Sequence, residues 1–311
     1  MRESKSNFTQ RTKTLKSSEP NKKYFLVCEG EKTELIYFNQ LFHECRKKNR
    51  LIEMVPIMRS FGESGWSNPK KLVDSLVRIL QEEKTGFLSY ETILNKMMDF
   101  LIDKNMLLSS PLPRNMIFKR LKRAVEENGF LLSGTTNEFE KICCLLVEEL
   151  GGCSIETTIS ELKEEIIESK ISFEPGFDKM CIVVDRDKNS FTKVQYENVL
   201  TVCKEQKYHF YVTNPCFEFW LLLHFEDIDA LDLEKLSENP KVSKGISYIE
   251  QELKIRLPGY KKNRYNVEKL IPCVCTAIKN EKKFCEDESE LEYKVGSNIG
   301  LLVEELYDRK I

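Results

Sequence analysis

Carboxylates stand at the ends of two stretches that read as buried strands: Glu29 directly after Tyr24–Cys28, and Asp185 and Asp187 directly after Met180–Val184. The strand C-termini of a parallel sheet lie along one edge, which is where ligands bind in open α/β folds. Groups about 155 residues apart in sequence can therefore converge. Two carboxylates one residue apart suit a hard cation such as Mg²⁺, which takes oxygen ligands, keeps several waters and serves phosphoryl chemistry. Taken alone, an Asp-x-Asp after a strand is more often a turn-former than a metal site.

The elements that must position these groups follow from periodicity. After the first strand, Leu35, Phe38, Leu41, Phe42 and Cys45 recur at helical spacing, and Arg46, Lys47, Lys48 and Arg50 crowd the helix end, where cations suit the macrodipole. Ile52 to Met58 reads as a second strand. A Gly-rich loop from Phe61 to Asn68 then leads to a helix with Pro69 in its first turn. No Gly-Lys-Ser/Thr follows Gly62 and Gly65, so this is not a Walker loop. From Met180 the alternation resumes: strand, helix from about Thr192 to Glu205, strand Tyr208 to Val212, then a helix opened by Asn214-Pro215.

Between Phe87 and Ser172 four helical patterns follow one another, marked by Ile93/Met97/Leu101, Ile117/Leu121/Val125, Phe139/Ile142/Leu146 and Ile159/Leu162/Ile166. A Met and Leu stripe of this kind is core and is assigned no chemistry. The expected fold is α/β, a mostly parallel sheet flanked by helices with an inserted helical bundle and a C-terminal helical section. In residue terms this gives a basic, mobile arm over 1–22, a first sheet part over 23–86, the insertion over 87–172, a second sheet part over 173–228 and the C-terminal section over 229–311.

Lys plus Arg number 48 against 50 Asp plus Glu, so no global field marks a nucleic-acid binder and any such binding must be local. The eleven cysteines sit mostly in apolar runs and read as reduced, in a cytoplasmic protein. Cys273-x-Cys275 lacks the spacing of a structural zinc site. No apolar run approaches the length of a membrane span.

Other polar residues have two readings each. Glu34 and Glu218 fall in first helical turns, where an acid complements the dipole. His224 reads as a satisfied core histidine. Lys261, Lys262 and Arg264, beside Tyr260 and Tyr265, suit either phosphate contacts with base stacking or a solvated loop. No Ser-His-Asp order supports acyl transfer.

The strings Val27-Cys28-Glu29-Gly30-Glu31-Lys32-Thr33-Glu34, Val183-Val184-Asp185-Arg186-Asp187 and Asn214-Pro215-Cys216-Phe217-Glu218-Phe219-Trp220 resemble the RloB family, and the first two resemble the Toprim domain more broadly. The similarity covers about two thirds of the chain and leaves the 87–172 block outside. It implies a metal-dependent nuclease acting as the toxic effector of an anti-phage, abortive-infection system, encoded beside an SMC/ABC-like ATPase and attacking RNA, transfer RNA among the candidates, or DNA. Carried onto this sequence, it makes Glu29 the general acid/base or a metal ligand and Asp185 and Asp187 the ligands of Mg²⁺ or Mn²⁺. Glu34 and Glu218 join the acidic site, and Lys32, Arg186, Lys261 and Lys262 face the substrate. The alternative is a non-catalytic adaptor or sensor that docks the partner ATPase; homo-oligomerisation is left open.

Overall fold

The computed structural model describes residues 22–30, 32–48, 52–57, 68–106, 111–149, 160–161, 164 and 171–308. The basic arm up to residue 21, most of the Gly-rich loop and the fourth helical pattern of the insertion lie outside the described residues. Five strands form one sheet: β1 (Lys22–Cys28), β2 (Ile52–Pro56), β3 (Lys179–Asp185), β4 (His209–Asn214) and β5 (Gly296–Ser297), in the order β2-β1-β3-β4-β5. The first four are parallel and β5 is antiparallel to β4. Helix α1 (Thr33–Lys48) follows β1, and α2 (Pro69–Thr85) starts with its proline at the first helical position, where no N–H is missed.

The chain divides into two compact units. One comprises the described parts of Asp74–Ser172. In it α3 (Tyr90–Asp103), α4 (Pro111–Glu127) and α5 (Phe139–Glu149) close around Ile93, Met97, Leu101, Leu121, Val125, Ile142, Cys143 and Leu146. These are the apolar positions that the periodicity marks. A short antiparallel ladder of Leu88–Ser89 with Thr135–Thr136 escapes sequence reading, because two residues show no period.

The other unit holds the sheet, with α6 (Lys193–Gln206) between β3 and β4, then α7 (Phe217–Leu222), α8 (Leu233–Glu238), α9 (Tyr248–Arg256), α10 (Val274–Glu281) and α11 (Ile299–Asp308). Tyr24, Leu26 and Cys28 share one core with Cys181, Val183, Tyr37, Phe38, α7 and the C-terminal Leu302 and Val303. Phe25, Val27, Ile182, Val184 and Val212 are buried on the opposite face, where Tyr196 of α6 meets Phe210 with ring centroids 5.5 Å apart. Cover on both faces explains why these strands are continuous apolar runs instead of alternating ones. The C-terminal section completes the sheet: Asn298 Oδ1 accepts the Val212 N–H at 2.6 Å, and its amide donates to Phe210 O at 3.0 Å, extending the ladder beyond β5.

His224 is a satisfied core histidine. Its Nδ1 lies 3.1 Å from Trp220 O, a pure acceptor, so Nδ1 carries the proton, and Nε2 accepts from the Tyr37 hydroxyl at 3.0 Å. Burial lowers its pKa to about 4, below the ordinary 6.5. The unfolded chain therefore binds the extra proton first, and this contribution to stability is full above pH 6.5 and lost as pH falls towards 4. The loss amounts to about 3 kcal/mol. His224→Gln is expected to flatten that acid limb in chemical denaturation followed from pH 7 to 4; an unchanged limb would place the acid sensitivity elsewhere.

Among the described residues no helix is long and apolar enough to cross a membrane.

Candidate active site

Strand β1 leads through α1 to β2 on one side, whereas β3 leads through α6 to β4 on the other. The strand order therefore reverses between β1 and β3, and the crevice past their C-termini is the topological switch point where open α/β sheets bind ligands. The parallel register sets Cys28 beside Val183. One residue on, Glu29 continues the ladder by donating its N–H to Val183 O at 3.0 Å, and its carboxylate Oε2 accepts the Asp185 N–H at 3.0 Å. Glu29 and Asp185 are thus adjacent.

Glu34 is buried in the first turn of α1, and its Oε1 accepts the Gly30 N–H at 3.1 Å. This ties the helix start to the chain before it, and the same carboxylate acts electrostatically on Asp185. Gly30 is required by the approach: a Cβ there would lie 2.0 and 2.3 Å from the Glu34 carboxylate oxygens. Gly30→Ala is expected to evict that carboxylate and to lower whatever activity the site supports by about 10- to 100-fold, the scale of losing one placed polar group. Its loss of fold stability stays near 1 kcal/mol. Initial rates and thermal unfolding of the variant check both numbers.

From the other side of the crevice, the buried Glu218 arrives on α7, just past β4. Its Oε1 accepts the Tyr260 hydroxyl at 3.1 Å and pairs with the Lys262 ammonium at 3.2 Å. The Tyr260–Tyr265 hairpin is itself tied to α1: Thr33 Oγ1 donates to Lys262 O, and the Tyr265 hydroxyl donates to Thr33 O, both at 2.7 Å. Thr33 therefore anchors this hairpin through both its hydroxyl and its carbonyl.

Burial, then the charges of Glu34, Glu29 and Glu218, push the Asp185 carboxyl well above the usual carboxylate range, against the pull of Lys262. Burial likewise raises Glu34, helped by Glu218 and opposed by backbone N–H groups and Lys262. The Cys216 thiol is held well up by burial and by Glu218 and Asp185, so it is not a thiolate nucleophile.

Several expected members stand elsewhere. Asp187 is exposed, with Oδ1 accepting the Asn189 N–H at 2.9 Å and Oδ2 the Ser190 hydroxyl at 3.0 Å. Both of its carboxylate oxygens serve the turn that follows β3. Arg186 is not turned towards a substrate. Its guanidinium is buried, bonded to Phe191 O and to the backbone and carboxylate of Glu292, and lies 5.8 and 5.5 Å from the Phe191 and Tyr196 ring centroids. Lys32 is exposed at the start of α1, and Lys261 is exposed in a backbone pair with Arg264. Tyr260 and Tyr265 are buried against each other and hold the hairpin, so they are not stacking platforms. Tyr260 is the member that sequence reasoning missed as a site residue; its place after Leu257-Pro258-Gly259 gives no sign that its hydroxyl reaches Glu218.

The donor chemistry fits a hard cation: carboxylates from β1, α1, β3 and α7 meet at one edge, and the Lys262 ammonium already stands among them as a monovalent cation. As placed, Glu29, Glu34 and Glu218 each commit an oxygen to a protein donor. Among the described residues no three His, Cys, Asp or Glu side chains surround a single ion position.

Fold and site together define an open-sheet α/β protein with an acidic crevice at its switch point. The chain belongs to the RloB-like family, whose model, described as RloB-like protein, matches residues 24–306. That span takes in the 87–172 helical block, which the resemblance of the sequence strings leaves outside the family. No curated protein and no solved structure matches the chain.

Proposed function

We propose that this protein is a metal-dependent nuclease that hydrolyses nucleic-acid phosphodiesters. The observation that carries the reading is the convergence of Glu29, Asp185, Glu34 and Glu218 at the switch point, where burial, and after it the neighbouring carboxylates, raise Asp185. A scaffold that only docked a partner would have no use for such an arrangement. In this reading Asp185 and Glu218 would hold Mg²⁺ or Mn²⁺, and Glu29 would move the proton. A divalent ion there supplies charge for the phosphoryl oxygens and lowers the pKa of the attacking water.

The chain's own groups do the rest. The backbone N–H of Asp185 fixes the Glu29 carboxylate, the Tyr260 hydroxyl orients Glu218, and Lys262 stands at the exposed rim in reach of a phosphate. The role as toxic effector of a cytoplasmic anti-phage system, with transfer RNA among its targets and an SMC/ABC-like ATPase as partner, rests on the resemblance to RloB and Toprim proteins.

The test is cleavage of end-labelled transfer RNA, other RNA and DNA by the full chain, with Mg²⁺ or Mn²⁺ and with a chelator. Cutting that needs the divalent ion supports the reading, and cutting that survives chelation removes the metal. A chain that binds a partner ATPase yet cuts nothing in its presence is the adaptor instead.

A further inference from the structure

We propose that Lys262 is an exchangeable counter-ion built into the acidic site: its ammonium holds the cation's place on Glu218 until a divalent ion takes it, and then turns to the phosphodiester. The proposal rests on the nuclease reading above and assigns to one residue both the resting occupancy of the site and the contact with substrate.

The hairpin separates a fixed backbone from a free side chain. Lys262 O is tied to Thr33 Oγ1, the Thr33 carbonyl is tied to the Tyr265 hydroxyl, and Lys261 and Arg264 close the turn through paired backbone bonds. The Lys262 side chain is 66% exposed, against 4% for its partner Glu218. An ion pair with so much water on one side is weak, so the ammonium is held loosely. The buried Glu218 carboxylate gains more from a doubly charged ion than from one loosely held ammonium, so an arriving divalent ion displaces it. These two facts together make an exchange and not a lock. Tyr260 completes the device, because its hydroxyl stays on Glu218 Oε1 and keeps the carboxylate aimed while the cations trade places. Once displaced, a four-carbon stem pinned at the rim presents a compact positive charge to solvent, which is the form in which lysine meets a phosphate.

The test is Mn²⁺ binding to the full chain without nucleic acid, measured by calorimetry for wild type, Lys262→Met and Lys262→Arg. Methionine keeps the stem and removes the competitor, so Mn²⁺ is expected to bind about three- to tenfold more tightly; arginine keeps the competitor and stays near wild type. In Ca²⁺, the Met variant is expected to bind an RNA oligonucleotide more weakly, with a log–log salt dependence smaller by about one phosphate contact. Equal or weaker Mn²⁺ affinity in a Met variant whose thermal unfolding stays cooperative overturns the exchange and leaves the metal reading standing. Absence of Mn²⁺ binding to all three proteins overturns both.

Discussion

Asp185→Asn is expected to lower divalent-dependent cleavage by about 10³-fold or more, while raising the unfolding temperature of the metal-free protein. The first effect follows from the proposed nuclease reading, in which the substitution removes a charged group where transition-state charge would collect. The second follows from the resting electrostatics. Asp185 sits beside Glu34, Glu29 and Glu218, and burial together with those charges already holds its carboxyl well above the usual range. An amide of nearly the same shape ends that repulsion and leaves intact the bond between the Asp185 backbone N–H and Glu29, because the main chain makes it. The gain is on the order of 1–2 kcal/mol, the usual scale on which relieving strain at a functional site stabilises a fold. Saturating Mg²⁺ is expected to reverse the order of the two melting temperatures, since only the wild type gains the full stabilisation of a bound ion. Initial rates and melting with and without Mg²⁺ check all three statements. A variant less stable than wild type in chelator would show that the cluster is not repulsive, and the case for a cation site would lose its electrostatic basis.

Glu281→Gln is expected to stabilise the protein in alkaline solution by a few kcal/mol and to change little near pH 4.5. Glu281 ends α10 fully buried, and its Oε1 accepts the Gly300 N–H at 3.0 Å, capping α11 from a neighbouring helix. Its other oxygen has no hydrogen-bond partner. Burial, helped by the nearby Glu286 and Glu304, outweighs the bond from Gly300 and raises its pKa from 4.5 to about 8. The folded state therefore holds a proton that the unfolded chain releases above pH 4.5. This contribution is full below 4.5 and is lost as pH rises to 8, with a slope of up to about 1.4 kcal/mol per pH unit. His224 slopes the other way between pH 4 and 6.5, so the two oppose each other in weak acid, and the Glu281 loss stands out only above pH 6.5. Asp185 and Glu34 share its sign, which is why the measurement is the difference between variant and wild type in denaturant titrations from pH 5 to 9. Gln keeps the acceptor for Gly300 and is uncharged throughout. A difference that does not grow with pH would mean that Glu281 is ionised in the fold and finds its partners there.

Much of the site was legible because strands that are buried on both faces announce themselves as apolar runs, and the residues next after such a run lie at the sheet edge. Glu29 and Asp185 were placed in this way. At Asp187 the same Asp-x-Asp spelling serves a metal or a turn, and the structure places its oxygens on the Asn189 N–H and the Ser190 hydroxyl. Arg186 was over-read: a cation beside two acids suggests a substrate contact until its guanidinium is seen buried under Glu292.

The sequence by itself determined the strand–carboxylate–glycine turn at Glu29-Gly30, the strand before Asp185, the helices with their apolar faces and the family. All of these depend on local periodicity or on a continuous string. Tertiary structure alone decided that β1 and β3 are neighbours at a switch point, that the Tyr260 hydroxyl holds Glu218 there, and that a hairpin more than two hundred residues beyond Thr33 is bonded to it and brings Lys262 to the acids. The physical reason is that side-chain hydrogen bonds and ion pairs between distant segments leave no period in the chain, whereas the burial of a strand or a helix face does.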